Sequence, residues 1–325
     1  MWVPRFAELA ASACVVRVPM RVPMRGVTER EAVLLRGPAG WGEFAPFVEY
    51  GDAEAARWLA AAVEAAWSGP PAPVRATVPV NATVPAVAAA EVPAVLARFP
   101  GCTTAKVKVG GPLAEDLDRV AAVRAALGPA GRIRVDANAA WTVEQAVTAL
   151  TALAGADLEY AEQPCATVAE LAAVRRRLGG RVAIAADESV RKAADPARVA
   201  LAGAADLVVL KVAPMGGVRA ALRIAEGCGL PVVVSSALET SVGIATGVAL
   251  AAALPELPYA CGLGTAGLLA ADVTATPLVP EAGALPVRAV EPDEDLLAGL
   301  AAPAERRAWW TERLRRCAEL LPVTA

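Results

Sequence analysis

From about residue 76 the chain alternates short apolar runs with longer amphipathic stretches. The apolar runs are Thr77–Asn81, Thr104–Val109, Arg132–Asp136, Leu158–Glu162, Val182–Ala186, Leu207–Lys211, Val232–Ser235 and Tyr259–Gly262. Seven segments between them, among them Leu113–Leu127 and Val143–Leu153, carry apolar residues at helical spacing. Near-continuous Val/Ala/Ile runs are what a parallel sheet buried on both faces requires. Eight strands joined by seven helices predict an α/β fold of the TIM type, a closed (β/α)7β barrel over residues 76–280.

Ahead of the barrel, Phe6–Val18 and Thr28–Leu35 read as strands, Glu54–Trp67 as a helix and Ser68–Pro73 as a linker. Residues 1–75 thus predict an α+β module of their own. After Pro280 the rhythm stops. The tail 281–325 ends in an Arg- and Trp-rich helix, Pro303–Leu321, expected to pack back on the first module. The longest uncharged run, Thr240–Pro255, is sixteen residues and holds Ser, Thr, Gly and Pro. A membrane span needs about 18 or more predominantly apolar residues, so a buried helix is expected there. Leu9–Val16 is bracketed by Glu8 and Arg17, which argues against a signal peptide.

Composition changes this picture in four ways. A net charge of −3 without a basic stripe argues against nucleic acid as a partner. Six scattered cysteines without a C-x-x-C pair read as free thiols of a reducing cytoplasm. Histidine is absent, which excludes imidazole bases, Ser-His-Asp triads and histidine-ligated zinc. Against 27 arginines stand only four lysines, Lys106, Lys108, Lys192 and Lys211. A guanidinium cannot give up its proton in a protein whereas a desolvated ammonium can, so the lysines are read for chemistry first.

In such a barrel the C-terminal strand ends converge on one face. Lys108, Asp136, Glu162, Asp187 and Lys211 stand 28, 26, 25 and 24 residues apart, one βα unit per step, and Glu188 follows Asp187. Three successive strand ends therefore deliver carboxylates to one mouth flanked by lysines. Acids so placed repel one another unless a cation joins them. A hard divalent ion with oxygen ligands, Mg²⁺ first and Mn²⁺ as the alternative, resolves this and leaves positions for substrate. Lys106 and Lys108 are two apart on a strand and face the same way, with Lys106 deeper and suited to ion pairing. Lys108 and Lys211 at the rim are the candidates for acid–base work. Lys192 falls in the stretch after the fifth strand and reads as surface or loop.

Lys-x-Lys, Asp-x-Asn, Glu-Gln-Pro, Asp-Glu-Ser and Lys-x-x-x-x-Gly-Gly, in this order and spacing, resemble the muconate-lactonizing subgroup of the enolase superfamily. Within it, V-D-A-N-A-A-W-T (Val135–Thr142), Y-A-E-Q-P (Tyr160–Pro164), A-D-E-S (Ala186–Ser189) and S-S-A-L-E-T-S-V-G (Ser235–Gly243) are most similar to the o-succinylbenzoate synthase family. G-W-G-E-F-A-P-F (Gly40–Phe47) resembles the substrate loop of that family's capping module.

The resemblance implies metal ligation by Asp136, Glu162 and Asp187, Lys108 as general base and Lys211 as its electrostatic partner opposite. It implies Lys106, Arg134 and Asn138 as supporting groups. Ser235, Ser236 and the backbone near Gly262–Thr265 would line the substrate pocket. The implied reaction is proton abstraction α to a carboxylate followed by loss of water, giving o-succinylbenzoate for menaquinone synthesis. An N-succinylamino-acid racemase or dipeptide epimerase on the same scaffold is the alternative. Dipeptide epimerases usually carry Asp-x-Asp at the eighth strand end, where this chain has C-G-L-G-T. Muconate cycloisomerase fits the motifs less well. A Schiff-base aldolase would leave the three acids without purpose, and a barrel kept only for binding would leave the lysines without one. The expected partner is a small carboxylate substrate; oligomeric state is not legible.

Overall fold

The computed structural model describes residues 4–24, 26–191 and 203–321. Phe6–Ser12, expected to open a strand, forms helix α1 instead. Its Ala/Glu/Leu content favours helix, the Glu8 carboxylate accepts from the Arg5 amide at 2.8 Å, and Leu9 is fully buried. The strand β1 begins only at Ala13 and runs to Met24. It pairs antiparallel with β2 (Val27–Gly37), which pairs in turn with β3 (Gly40–Phe44). The β1–β2 register shifts between Pro19 and Met24. Prolines cannot donate to a ladder, and β1 is an edge strand, where that is tolerated. Helix α2 (Asp52–Val63) packs on β3 and widens into a π-helical turn over Glu64–Ser68.

The expected first barrel strand, Thr77–Asn81, splits. Thr77–Pro79 (β4) pairs antiparallel with the later segment Ala284–Pro286, and the parallel sheet starts at β5 (Ala82–Val84). Pro79 has no N–H to place in a ladder, and the Val80 amide goes to Gly283 at 2.9 Å. The sheet continues in sequence order through β6 (Thr104–Lys108), β7 (Arg132–Asp136), β8 (Leu158–Glu162), β9 (Ile184–Ala186), β10 (Leu207–Lys211) and β11 (Val232–Ser235). The eighth position is held by bridges rather than a full strand: Val80 with Cys261 and Ser235 with Gly262. Cys261 exchanges hydrogen bonds with Pro79 and Asn81 at 2.7 and 3.0 Å, and the Gly262 amide reaches Val234 at 2.8 Å. These links close the ring.

Helices α3 (Val92–Leu96), α4 (Leu113–Leu127), α5 (Val143–Leu153), α6 (Val168–Leu178), α7 (Glu188–Arg191), α8 (Val212–Met215), α9 (Val218–Cys228) and α10 (Ser241–Ala253) connect the strands. Both α4 and α5 take the bounds read from periodicity. The start of α5 is fixed by a reciprocal cap, Thr142 with Gln145 at 2.9 and 3.3 Å. The uncharged run becomes α10, buried along most of its surface. Among the described residues no helix is long and apolar enough to cross a membrane.

Beyond β12 (Ala284–Pro286) come α11 (Glu294–Gly299) and α12 (Ala304–Glu319), and α12 lies against α1 and α2. Glu31 of β2 accepts from Arg306 and from the buried Trp310 at 2.9 and 2.8 Å. Trp310 meets Phe44 edge-on at 5.8 Å. Buried Arg313 donates to the carbonyls of Phe47 and Tyr50. None of the six cysteines is in a disulfide.

Candidate active site

The parallel register builds the site. Lys108 stands beside Asp136, and Asp136 beside Glu162, at the last positions of β6, β7 and β8. Lys211, at the end of β10, stands beside Ser235, which bridges to Gly262. Asp187 directly follows β9. In an eight-membered ring β6 and β10 are four positions apart, so the two rim lysines face each other across the mouth with the acids between.

The side chains form a buried network of opposite charges. Lys106 lies between two acids, 3.0 and 3.1 Å from the Glu162 oxygens and 3.4 Å from Asp136 Oδ2. Lys108 donates to Asp136 Oδ2 and, at 2.7 Å, to Asn138 Oδ1. Lys211 donates to Asp187 Oδ2. Asn138 is held from both sides: its amide donates to Asp136 Oδ1 at 3.0 Å and its Nδ2 to Glu188 Oε1 at 3.2 Å. Asn138, Ala139 and Gln163 have φ of +46°, +63° and +39°, so left-handed backbone is concentrated at the ends of β7 and β8.

Burial would raise the Asp136 carboxyl, but Lys108 and Lys106 more than reverse this and hold it well below the usual carboxylate range. Glu162 is raised: burial acts first and the charge of Asp136 adds to it, outweighing Lys106. Lys106 and Lys211 are raised despite burial, Lys106 by Glu162 and Asp136, Lys211 by Asp187 and Glu188. Lys108 is lowered by burial, with Asp136 opposing and Lys106 adding.

Among the described residues, the four acids Asp136, Glu162, Asp187 and Glu188 are gathered around three lysines, 106, 108 and 211, so acids outnumber ammonium groups by one. The buried Glu188 Oε2 has no hydrogen-bond partner among the described residues. Among the described residues no three acidic or thiol side chains meet at a single point, because the ammonium groups stand among the carboxylates. The all-oxygen donors, the negative excess and the raised Glu162 together fit a hard divalent cation.

One cavity brings together Lys106, Lys108, Asn138, Lys211, Ser235, Ser236 and Gly262. Ser236 Oγ donates to the Gly262 carbonyl at 2.6 Å and shares a hydrogen bond with Thr265 Oγ1 at 2.8 Å. Arg134 lies elsewhere: fully buried beneath the mouth, it donates to Glu159, Asn81, Tyr160 and the Ala260 carbonyl at 2.6 to 3.1 Å. Lys192 lies outside the described residues. Met24 and Phe47 of the N-terminal unit also line the cavity, and Met24 gave no local signal. Gln163 was legible only as part of Y-A-E-Q-P. It accepts from the Asp187 and Ser189 amides at 2.9 and 3.2 Å and donates to Cys165 and Ser189, which fixes the turn carrying Asp187.

Residues 87–295 match the family model described as enolase C-terminal domain-like, and residues 15–66 the one described as enolase N-terminal domain-like. The chain belongs to the enolase superfamily. Members of this superfamily depend on a divalent metal, typically Mg²⁺. Among curated relatives, the o-succinylbenzoate synthase of Thermobifida fusca is 64% identical over 86% of this chain and 89% of its own length. Those of Mycobacterium leprae and Mycobacterium tuberculosis are 55% and 56% identical, each over 98% of this chain and 95% and 97% of their own. The muconate lactonizing enzyme of Pseudomonas fluorescens, solved with muconolactone, superposes with a TM-score of 0.79 at 25% identity, over 90% of this chain and 98% of that one. The N-succinyl Arg/Lys racemase of Bacillus cereus gives 0.75 at 19% identity over 90% and 97%, a likeness of fold alone.

The superfamily motif Lys-x-x-x-x-Gly-Gly has a physical reason in this structure. Gly217 sits at φ +124° where the carboxylate of Glu64, from the N-terminal unit, caps α9. A Cβ there would come within 2.8 Å of that carboxyl carbon.

Proposed function

We propose that the chain is an o-succinylbenzoate synthase, a carbon–oxygen lyase acting on 2-succinyl-6-hydroxy-2,4-cyclohexadiene-1-carboxylate in menaquinone biosynthesis. The observation that carries this is a cavity lined by Lys108 and Lys211 from opposite sides, with three buried acids, Asp136, Glu162 and Asp187, paired to its lysines. The near-full-length relatives named o-succinylbenzoate synthase narrow the substrate.

Asp136, Glu162 and Asp187 are the residues that would hold Mg²⁺ or Mn²⁺, an ion that supplies stabilisation of charge on the substrate carboxylate as its α-proton leaves. Neutral Lys108 Nζ takes that proton. The C–H electron pair becomes the new ring double bond as the β-hydroxyl departs with its own pair. Lys108, now an ammonium, returns the proton to the leaving hydroxyl, so water is released and the lysine is neutral again. Lys211 stays cationic through its pairing with Asp187 and faces the ring. Lys106 ties Glu162 to Asp136, and Asn138 fixes the reach of Lys108. Ser235, Ser236 and Gly262 line the end of the cavity next to Lys211. Six cysteines outside any disulfide support placing the enzyme in the reducing cytoplasm.

One observation keeps a second reading, N-succinylamino-acid racemisation: Lys211 faces the same cavity from the side opposite Lys108. Elimination needs one lysine as base and is driven by aromatisation, whereas racemisation needs both with matched proton affinities. Both reactions should be assayed on one preparation. Dehydration is expected to exceed racemisation in kcat/KM. The reverse ranking would overturn the synthase assignment.

A further inference from the structure

The turn Ser235–Thr240 carries two cavity serines between β11 and α10, and its Leu238 is held at φ +65°, unfavourable for a branched side chain. A turn so shaped needs its peptide groups fixed from outside. Here both kinds are fixed by the other unit of the molecule. Arg30 of β2 donates to the carbonyls of Leu238 and Ala237 at 3.2 and 3.4 Å and also to its own unit's Ala45 carbonyl. Its guanidinium lies 4.4 Å from the ring centroid of Phe47, which lines the cavity. Glu43 of β3 takes the opposite polarity: it accepts from the Thr240 amide at 3.1 Å, the Thr240 hydroxyl at 2.6 Å and the Gly243 amide at 2.9 Å. It thereby caps α10 from another unit through the acceptor oxygens of its carboxyl group.

Both side chains are buried, Arg30 at 4% and Glu43 at 6% exposure. Burying a guanidinium and a carboxyl group is expensive, and apolar residues would dock two units as well. What the polar groups add is directional: one fixes carbonyls, the other amides. The glycine of the S-S-A-L-E-T-S-V-G motif belongs to the same device. A Cβ at Gly243 would stand 2.5 Å from Glu239 Cβ and 3.0 Å from Glu43 Oε2. That glycine serves the seat of Glu43 rather than the substrate.

We propose that Arg30 and Glu43 are positioning residues that clamp the Ser235–Thr240 turn, so that the N-terminal unit sets substrate affinity at Ser236 without touching the substrate there. The role in affinity rests on the synthase reading; the clamp itself does not. The test uses the full-length Mg²⁺-loaded enzyme, with Arg124→Met as the control. Arg124 donates to the carbonyls of Gly128, Gly131 and Ala156 at the opposite end of the barrel. Deuterium uptake over residues 235–243 should be about tenfold faster in Glu43→Ala than in wild type, and unchanged in Arg124→Met. The KM for the cyclohexadiene substrate should rise by about tenfold with kcat within about threefold. Glu43→Gln, which keeps the volume and one acceptor, should fall between, and it replaces Glu43→Ala if that variant does not fold. Unchanged uptake over 235–243 overturns the clamp. Faster uptake with a KM within about twofold of wild type overturns its role in affinity. If wild type does not dehydrate the substrate, the synthase reading fails, and the uptake result still decides the clamp.

Discussion

Lys108 and Lys211 carry the same ammonium group into different company. Burial depresses Lys108, against the pull of Asp136 and with the like charge of Lys106 adding to it. At Lys211 the neighbouring Asp187 and Glu188 outweigh burial and keep it charged. An arginine at either place preserves charge, but only a lysine can receive a proton near neutrality. Lys108→Arg should therefore lose about 10²–10⁴-fold in dehydration. Exchange of the substrate α-proton with deuterated solvent should vanish with it, while circular dichroism stays that of wild type. Wild-type turnover in this variant would move the base to Lys211. The acids lead to a second expectation at this scale. Chelation should abolish turnover and Mg²⁺ or Mn²⁺ should restore it, and Asp187→Asn should raise the metal concentration needed for half activity with little change in melting temperature. Full activity of thoroughly chelated protein would remove the metal from the assignment.

At the scale of elements, the N-terminus of α10 joins the two units through a carboxyl in an unusual state. Burial first, and the nearby charge of Glu239 second, push Glu43 up to about 8 against the opposing pull of Thr240 and Arg30. Glu239 is itself raised by burial, with Arg30 and Lys211 opposing. An acid raised in the folded state holds a proton that the unfolded chain has already lost, so stability falls as pH climbs from the ordinary carboxyl range toward 8. The melting midpoint of wild type should drop by about 2–5 °C between pH 6 and 8. Glu43→Gln should flatten this slope, and an equal slope in both would remove Glu43 as its source. The site's acids and lysines were legible because a parallel strand buried on both faces is written as an apolar run, against which a terminal charge stands out. Phe6–Ser12 was misread because a short run of small and apolar residues fits strand and helix alike, and only the packing of Leu9 and the cap at Arg5 decide. The eighth strand dissolved into bridges at Cys261 and Gly262, which a local pattern cannot show. Arg30 and Glu43 gave no local sign of their role, since their partners lie 208 and 197 residues away.

At the scale of the whole molecule, the last helix reaches the cavity indirectly. Arg313 on α12 holds the carbonyls of Phe47 and Tyr50, and Phe47 lines the site. Arg313→Met removes a charged donor from both carbonyls, at a cost of about 1.5–3 kcal/mol per lost bond, while the Tyr50 amide still reaches the Phe47 carbonyl at 3.1 Å. A lower melting temperature and faster proteolysis within 47–50 are expected, and an unchanged midpoint would show that the segment is held otherwise. The distribution of amines has a consequence of another kind. Three of the four lysines, Lys106, Lys108 and Lys211, lie in one buried cavity with side chains only 7 to 12% exposed. An amine-acylating reagent, which on most proteins decorates the surface at random, becomes here, once the peptide carrying Lys192 is set aside, a probe of a single chamber. Counting adducts by mass spectrometry on folded and denatured chain would read out how often that chamber opens, and occupancy by a ligand would appear as lysines that no longer label.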